Sequence, residues 1–193
     1  MLVNKQQAAK RQLLTAIELF LQGGDLLPIY GLIHAAFMIT ENIAAKKETP
    51  IETLYQILQR VATKEEFKKV LTYMRDKARY LKHADREKDE FEFEELKEIQ
   101  VLAFMCSAIN NYKTAFNENP PEMNVPVFVF LATIFADIKD RDLPADVLIG
   151  IETLVNYKAN HGEEETRLLA LMMFYKTQNI DIHNLLLAKL VKQ

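Results

Sequence analysis

The chain has no tryptophan, one cysteine, five glycines and six prolines in 193 residues. A single cysteine, Cys106, rules out an intrachain disulfide and any cluster of thiolate metal ligands. It lies in the apolar run Leu102–Ile109, where a small buried hydrophobe is the expected role. Glycine is too sparse for a phosphate-cradling loop. The one stretch with two adjacent glycines, Gly23–Gly31, lacks the lysine and the preceding strand that such a loop needs. No uninterrupted apolar run approaches the ~18 residues of a membrane span. The longest, Val125–Ala136, is broken by Pro126 and Thr133. The first residues carry no apolar leader core. These features lead us to expect a cytoplasmic protein that does not engage a membrane. Net charge is -3, so no overall basic field advertises nucleic acid or acidic lipid.

Familiar catalytic spacings are missing too. The residues three before His34, His83, His161 and His183 are Gly31, Tyr80, Lys158 and Ile180, so no Glu-x-x-His pair of a di-iron bundle exists. His161 and Glu165 are four apart, as two ligands on one helix face would be. Gly162 between them reads more simply as a helix start. Asp181 and His183 are explained by capping, and no serine sits in a nucleophile elbow. No metal and no organic cofactor is expected.

What the chain does have is helical periodicity. Apolar residues are 49% and charged residues 26%, enough for a core without staples. Asn4 is placed to cap a helix through Leu13, Leu14, Ile17, Phe20 and Leu21, and Gly23-Gly24 to end it. Asp25 caps a second helix, with Pro28 in its first turn and Ile29, Leu32, Ile33, Ala36, Phe37 and Ile43 on its apolar face. Thr49–Glu52 and Thr63–Glu66 have capping-box spacing, ahead of a short helix and a long one over 65–84. A charged stretch from Asp85 to Glu98 follows, with eight acids and three bases. A helix over about 94–116 is expected next, then a linker, Asn117–Asn124. Further helices are expected over about 125–139, 144–159, 163–177 and 182–192, with Asp142, Gly162 and Asp181 near their starts. The reading is an all-α, up-and-down helical bundle forming a single domain over 1–193. Residues 1–118 make the core bundle, and 119–193 a helical extension packed on it. Tyr30, Phe37, Tyr73, Phe104 and Tyr112 fit either core packing or the lining of a small-molecule pocket. His34 reads as a partly buried histidine.

One constellation points to chemistry. From Thr63 to His83 there are seven bases and three acids, a local net charge of +4 in a chain that is negative overall. Phe67, Val70, Leu71, Met74, Ala78 and Leu81 fall on one helical stripe. Arg79 and His83, four apart, share a face roughly opposite. An arginine grips a phosphate with two hydrogen bonds, and a histidine moves a proton near neutral pH. Arg79 and His83 are therefore the candidate catalytic pair, with Arg75 and Lys82 as backbone-tracking contacts. The competing reading of the same residues is a solvated face in which Arg79 pairs Asp76 or Asp85.

The string Lys82-His83-Ala84-Asp85-Arg86 after this stretch resembles a group of uncharacterised bacterial helical proteins, over about residues 10–116. That likeness implies no activity. More distantly, the layout resembles the HEPN superfamily, whose helical bundles carry an arginine and a histidine on one helix. The strings Ala16–Asp25 and Ile33–Ala36 resemble its opening hairpin. The resemblance implies metal-independent RNA cleavage by a homodimer that brings two motifs together. Three residues separate Arg79 from His83, one fewer than in that superfamily. Seven separate Arg75 from His83, and Tyr80 stands where a small polar residue is frequent. The alternative is a non-catalytic helical module that docks another protein through its acidic 85–98 segment and C-terminal helices.

Overall fold

Asn4 begins the first helix as a cap should: its Oδ1 accepts from the Gln7 N–H at 2.8 Å, and its own N–H donates to Gln7 Oε1 at 3.2 Å. Two of the unpaired groups at a helix start are satisfied reciprocally. The computed structural model describes residues 3–44, 46, 72, 96–134 and 145–178. Helix α1 spans Lys5–Leu21. It closes in a Schellman turn, with Gly24 N–H on the Leu19 carbonyl and Gly23 N–H on that of Phe20. Gly23 takes φ 72°, which a side chain would strain. Asp25 then caps α2, Leu26–Ala44, by accepting from the Leu27 N–H at 2.9 Å.

Helix α3 spans Glu98–Phe116. Lys97 ahead of it is extended, and its N–H donates to Gln100 Oε1 at 3.1 Å. The helix therefore starts at Glu98 rather than near residue 94. Asn117 ends it in the left-handed conformation, φ 50°. A 3-10 turn, Pro121–Asn124, leads into α4, Val125–Ile134. Helix α5, Ala145–Thr177, is interrupted at Gly162, whose φ 86° and ψ -178° are open only to glycine. The expected break between two C-terminal helices thus falls where the sequence puts it. Among the described residues there is no strand, and the all-α class stands. The helix expected over 182–192, and those over 51–84 apart from Thr72, lie outside the described residues.

The described residues form two compact units. One takes in the chain up to Ala16 and from Asp25 to Glu118; the other takes in Ile17–Gly24 and the chain from Asn119. In the first, α2 packs on α3 through a ring cluster. Phe104 stands 5.0 Å from Tyr30 and 5.3 Å from Phe37 between centroids. Helix α3 is the central element, with Val101, Phe104, Met105, Ala108, Ile109 and Tyr112 all buried. The residues of α2 that are buried are Ile29, Tyr30, Ile33, Ala36, Thr40 and Ala44. Leu32, Phe37 and Ile43 are only half-buried, so the inward face is rotated from the expected stripe. Helix α2 is long and apolar enough by length and composition to cross a membrane, at 19 residues and a mean hydropathy of 1.3. In the second unit, α4 and α5 pack together with the 3-10 turn. Glu122 and Met123 of that turn are buried, so the stretch expected as a linker is part of the packing.

Candidate functional site

Arg75, Arg79, Lys82 and His83 lie outside the described residues. The described residues hold three polar arrangements, each built from elements already introduced.

The first is centred on Glu118, just past the left-handed end of α3. One carboxylate oxygen accepts from Lys10 Nζ at 2.7 Å; the other accepts from Gln6 Nε2 at 2.8 Å and from the Tyr112 hydroxyl at 2.5 Å. The Lys10 bond, then the Tyr112 bond, then that of Gln6 hold the carboxyl well below its usual range, at about 2. A carboxylate this strongly stabilised is a poor proton acceptor near neutral pH. Its chemistry is to tie the N-terminal turns of α1 to the end of α3. Gln6 and Lys10 are 112 and 108 residues away in sequence, so no local pattern announces the tie.

The second arrangement lies in the other unit. The Tyr175 hydroxyl donates to Glu18 Oε1 at 2.6 Å and accepts from Gln22 Nε2 at 2.9 Å. Burial, and then the bond to Glu18, push the phenol up to about 12. Tyr175 therefore stays a neutral donor across the physiological range.

The third is an open groove of about 770 Å³ between the Gln22-Gly23 turn and the second arm of α5. Glu163, Glu164 and Glu165 line it with Arg167, beside Leu168 and Leu171. The Arg167 guanidinium sits 6.0 Å from the Phe20 ring centroid. A Cβ on Gly23 would come within 3.2 Å of Arg167 Nη1, the movable end of a long side chain, so it is the positive φ that calls for glycine in that turn.

Tyr30 and Phe104 are buried and packed ring on ring, and Tyr112 is buried and bonded to Glu118, so these three are core; Phe37 is half-buried against Phe104. Tyr73 lies outside the described residues. His34 is half-buried with its ring 6.4 Å from Phe104. His161 Nδ1 lies 3.4 Å from Glu165 Oε2 and its ring stacks at 4.2 Å on Tyr157, while Lys158 bridges the break to Glu163 at 2.7 Å. Among the described residues no three metal-ligating side chains gather. Cys106 is half-buried on α3. Burial raises its thiol to about 12, against a smaller opposite pull from Lys113. Among the described residues, three buried side-chain oxygens have no hydrogen-bond partner within the protein: Gln12 Oε1, Ser107 Oγ and Asn111 Oδ1.

No family model matches the chain, and no curated protein or solved structure matches it either.

Proposed function

We propose that this all-helical chain is a HEPN-like, RNA-directed protein that binds or cleaves RNA through Arg79 and His83. The observation that carries the reading is the sequence Arg79-x-x-x-His83 inside a stretch of net charge +4, within a chain of net charge -3. Helical structure dominates the described residues, and on a helix that spacing puts the two side chains one turn apart. In the reaction proposed, Arg79 holds the scissile phosphate. His83 takes the proton of the ribose 2′-hydroxyl or gives one to the leaving 5′-oxygen. The 2′-oxygen–phosphorus bond forms as the phosphorus–5′-oxygen bond breaks, so neither metal nor organic cofactor is required. Arg75 and Lys82 track the RNA backbone. The working form in this reading is a cytoplasmic homodimer.

The test is a labelled structured RNA incubated in EDTA with wild type, Arg79→Ala and His83→Ala, each checked for folding by circular dichroism. Cleavage or binding that falls at least about tenfold in the folded variants supports the reading, about the loss of one charge-assisted contact. Wild-type protein that neither binds nor cleaves, or folded variants that behave as wild type does, refutes it.

A second reading, a non-catalytic helical interaction module, is favoured by a different observation. Leu168 and Met172 are exposed one turn apart on the second arm of α5, and Ile149 is exposed on the first. Exposed apolar residues at one-turn spacing are the usual stuff of helix docking. Leu168→Glu combined with Met172→Glu separates the readings: it abolishes a protein interaction and leaves RNA behaviour intact.

A further inference from the structure

The second arm of α5, past the break at Gly162, carries an exposed row of mixed character. Glu164, Leu168, Met172 and Lys176 follow one another at four-residue steps, so they form one ridge along the helix. All four are exposed, Leu168 at 51% and Met172 at 39%. Half-buried Leu169 and Met173 run alongside and widen the apolar middle. The acidic end keeps a free charge: Glu163 is bound to Lys158 and Glu165 lies beside His161, whereas Glu164 makes no ion pair among the described residues. Lys176 at the other end makes none either. Twelve residues, about 18 Å of helix, keep Glu164 and Lys176 from pairing with each other.

Acid, leucine, methionine, base is an order that complements itself when reversed. An antiparallel copy, related by a two-fold axis midway between Leu168 and Met172, sets each Leu168 against the other copy's Met172. It also sets each Glu164 against the other copy's Lys176, and the two-fold repeats that ion pair at the opposite end. Ridges of four-residue step align when two helices cross at about 50°, and the long Glu and Lys side chains reach across as the helices diverge. A parallel pairing would put Glu164 on Glu164. We propose that the second arm of α5 is a self-association surface, occupied by the same ridge of a second copy of this chain in antiparallel register. This deepens the second functional reading, on whose exposed Leu168 and Met172 it rests, by naming the partner. An apolar centre with charges at its rim is the usual anatomy of such a contact. A single helix pair is smaller than the ~1,200 Å² of a standard stable interface, so the dimer is weak, with Kd on the order of 10–100 µM.

Sedimentation velocity of the full chain at low salt, from about 5 to 300 µM, tests this. Wild type should show a reversible dimer. Glu164→Lys alone sets lysine against the other copy's Lys176 at both ends, and Lys176→Glu alone sets glutamate against Glu164. Each should weaken self-association about tenfold or more. Mixing the two variants brings acids against bases again and should restore association to at least the wild-type level. The exchange within one chain, Glu164→Lys with Lys176→Glu, should do the same. Both positions are exposed, and circular dichroism checks that every variant is folded. Wild type that stays monomeric throughout overturns the proposal. So does a dimer that neither variant weakens, or a mixture that associates no better than its components. A monomeric wild type leaves the second reading standing with a different protein as partner; that reading fails separately, when Leu168→Glu with Met172→Glu disrupts no interaction of the chain.

Discussion

Replacing Glu118 by glutamine keeps the shape of the side chain and removes its charge. In the wild type the carboxylate accepts from Lys10, Tyr112 and Gln6, and is held at about 2 rather than 4.5. Taken in full at 1.36 kcal/mol per tenfold, that displacement corresponds to about 3 kcal/mol. The Glu118 side chain is 35% exposed, so solvent screening cuts the figure to about 1–2 kcal/mol. The sign follows from linkage. A carboxyl with a lowered folded value stabilises the fold above its unfolded value, and the contribution is lost as pH falls through the folded one. The window therefore runs from about pH 4.5 down to about pH 2. Urea unfolding followed at 222 nm, at pH 7 and in steps to pH 2.5, should show Glu118→Gln less stable than wild type by about 1–2 kcal/mol at neutral pH. The two proteins should converge toward the acid end, because the carboxyl of the unfolded chain takes up its proton from about pH 4.5 downward while the folded one does so only near pH 2. Other carboxyls titrate in both proteins and cancel in the difference. A gap that is already absent at pH 7, or that stays constant to pH 2.5, would show that the Glu118 charge does no stabilising work.

Three further outcomes follow from the same geometry. Gly162→Ala meets no steric obstacle but must hold φ 86°, so stability should fall by about 1–2 kcal/mol in urea; an unchanged midpoint would mean the break in α5 does not depend on glycine. Tyr175→Phe should cost about 1 kcal/mol by losing the Glu18 and Gln22 bonds. In wild type the Tyr175 contribution should be complete below the ordinary phenol value of 10.0 and lost as pH rises through about 12, and an absorbance titration in which every tyrosine ionises together near pH 10 would contradict this. The Cys106 thiol, at about 12, should react with a disulfide reagent about 10³-fold more slowly in the native protein at pH 8 than in denaturant; equal rates would place it outside the packed interior.

The ends of helices were the most legible part of this chain. Asn4, Asp25, the Gly23-Gly24 pair and Gly162 all act where a reader of the sequence would place them, because capping is a contact between near neighbours. The cap of α3 was missed: Lys97 is no acceptor, and the acid-rich run ahead of it suggested an earlier start. Along α2 the apolar spacing identified a helix and the buried Ile29, Ile33 and Ala36, but not Tyr30, Thr40 and Ala44 beside them. Thr40 is buried there because its hydroxyl is spent on the Ala36 carbonyl, which lets a polar residue enter the core. Pro120-Pro121 looked like a plain connector, yet Glu122 and Met123 are buried in the turn they open. The pair carrying the proposed chemistry, Arg79 and His83, was found by spacing and charge alone.

The sequence by itself determined the helical class, the punctuation between helices and the local charge reversal over 63–83, since each depends on residues within about four positions of one another. Tertiary structure alone decided which side chains meet across the chain. Glu118 joins Gln6 and Lys10 across more than a hundred residues, Tyr175 reaches Glu18, and Ser107 and Asn111 end buried without protein partners. Such meetings are set by how whole helices pack, and packing leaves no periodic mark at the residues it brings together.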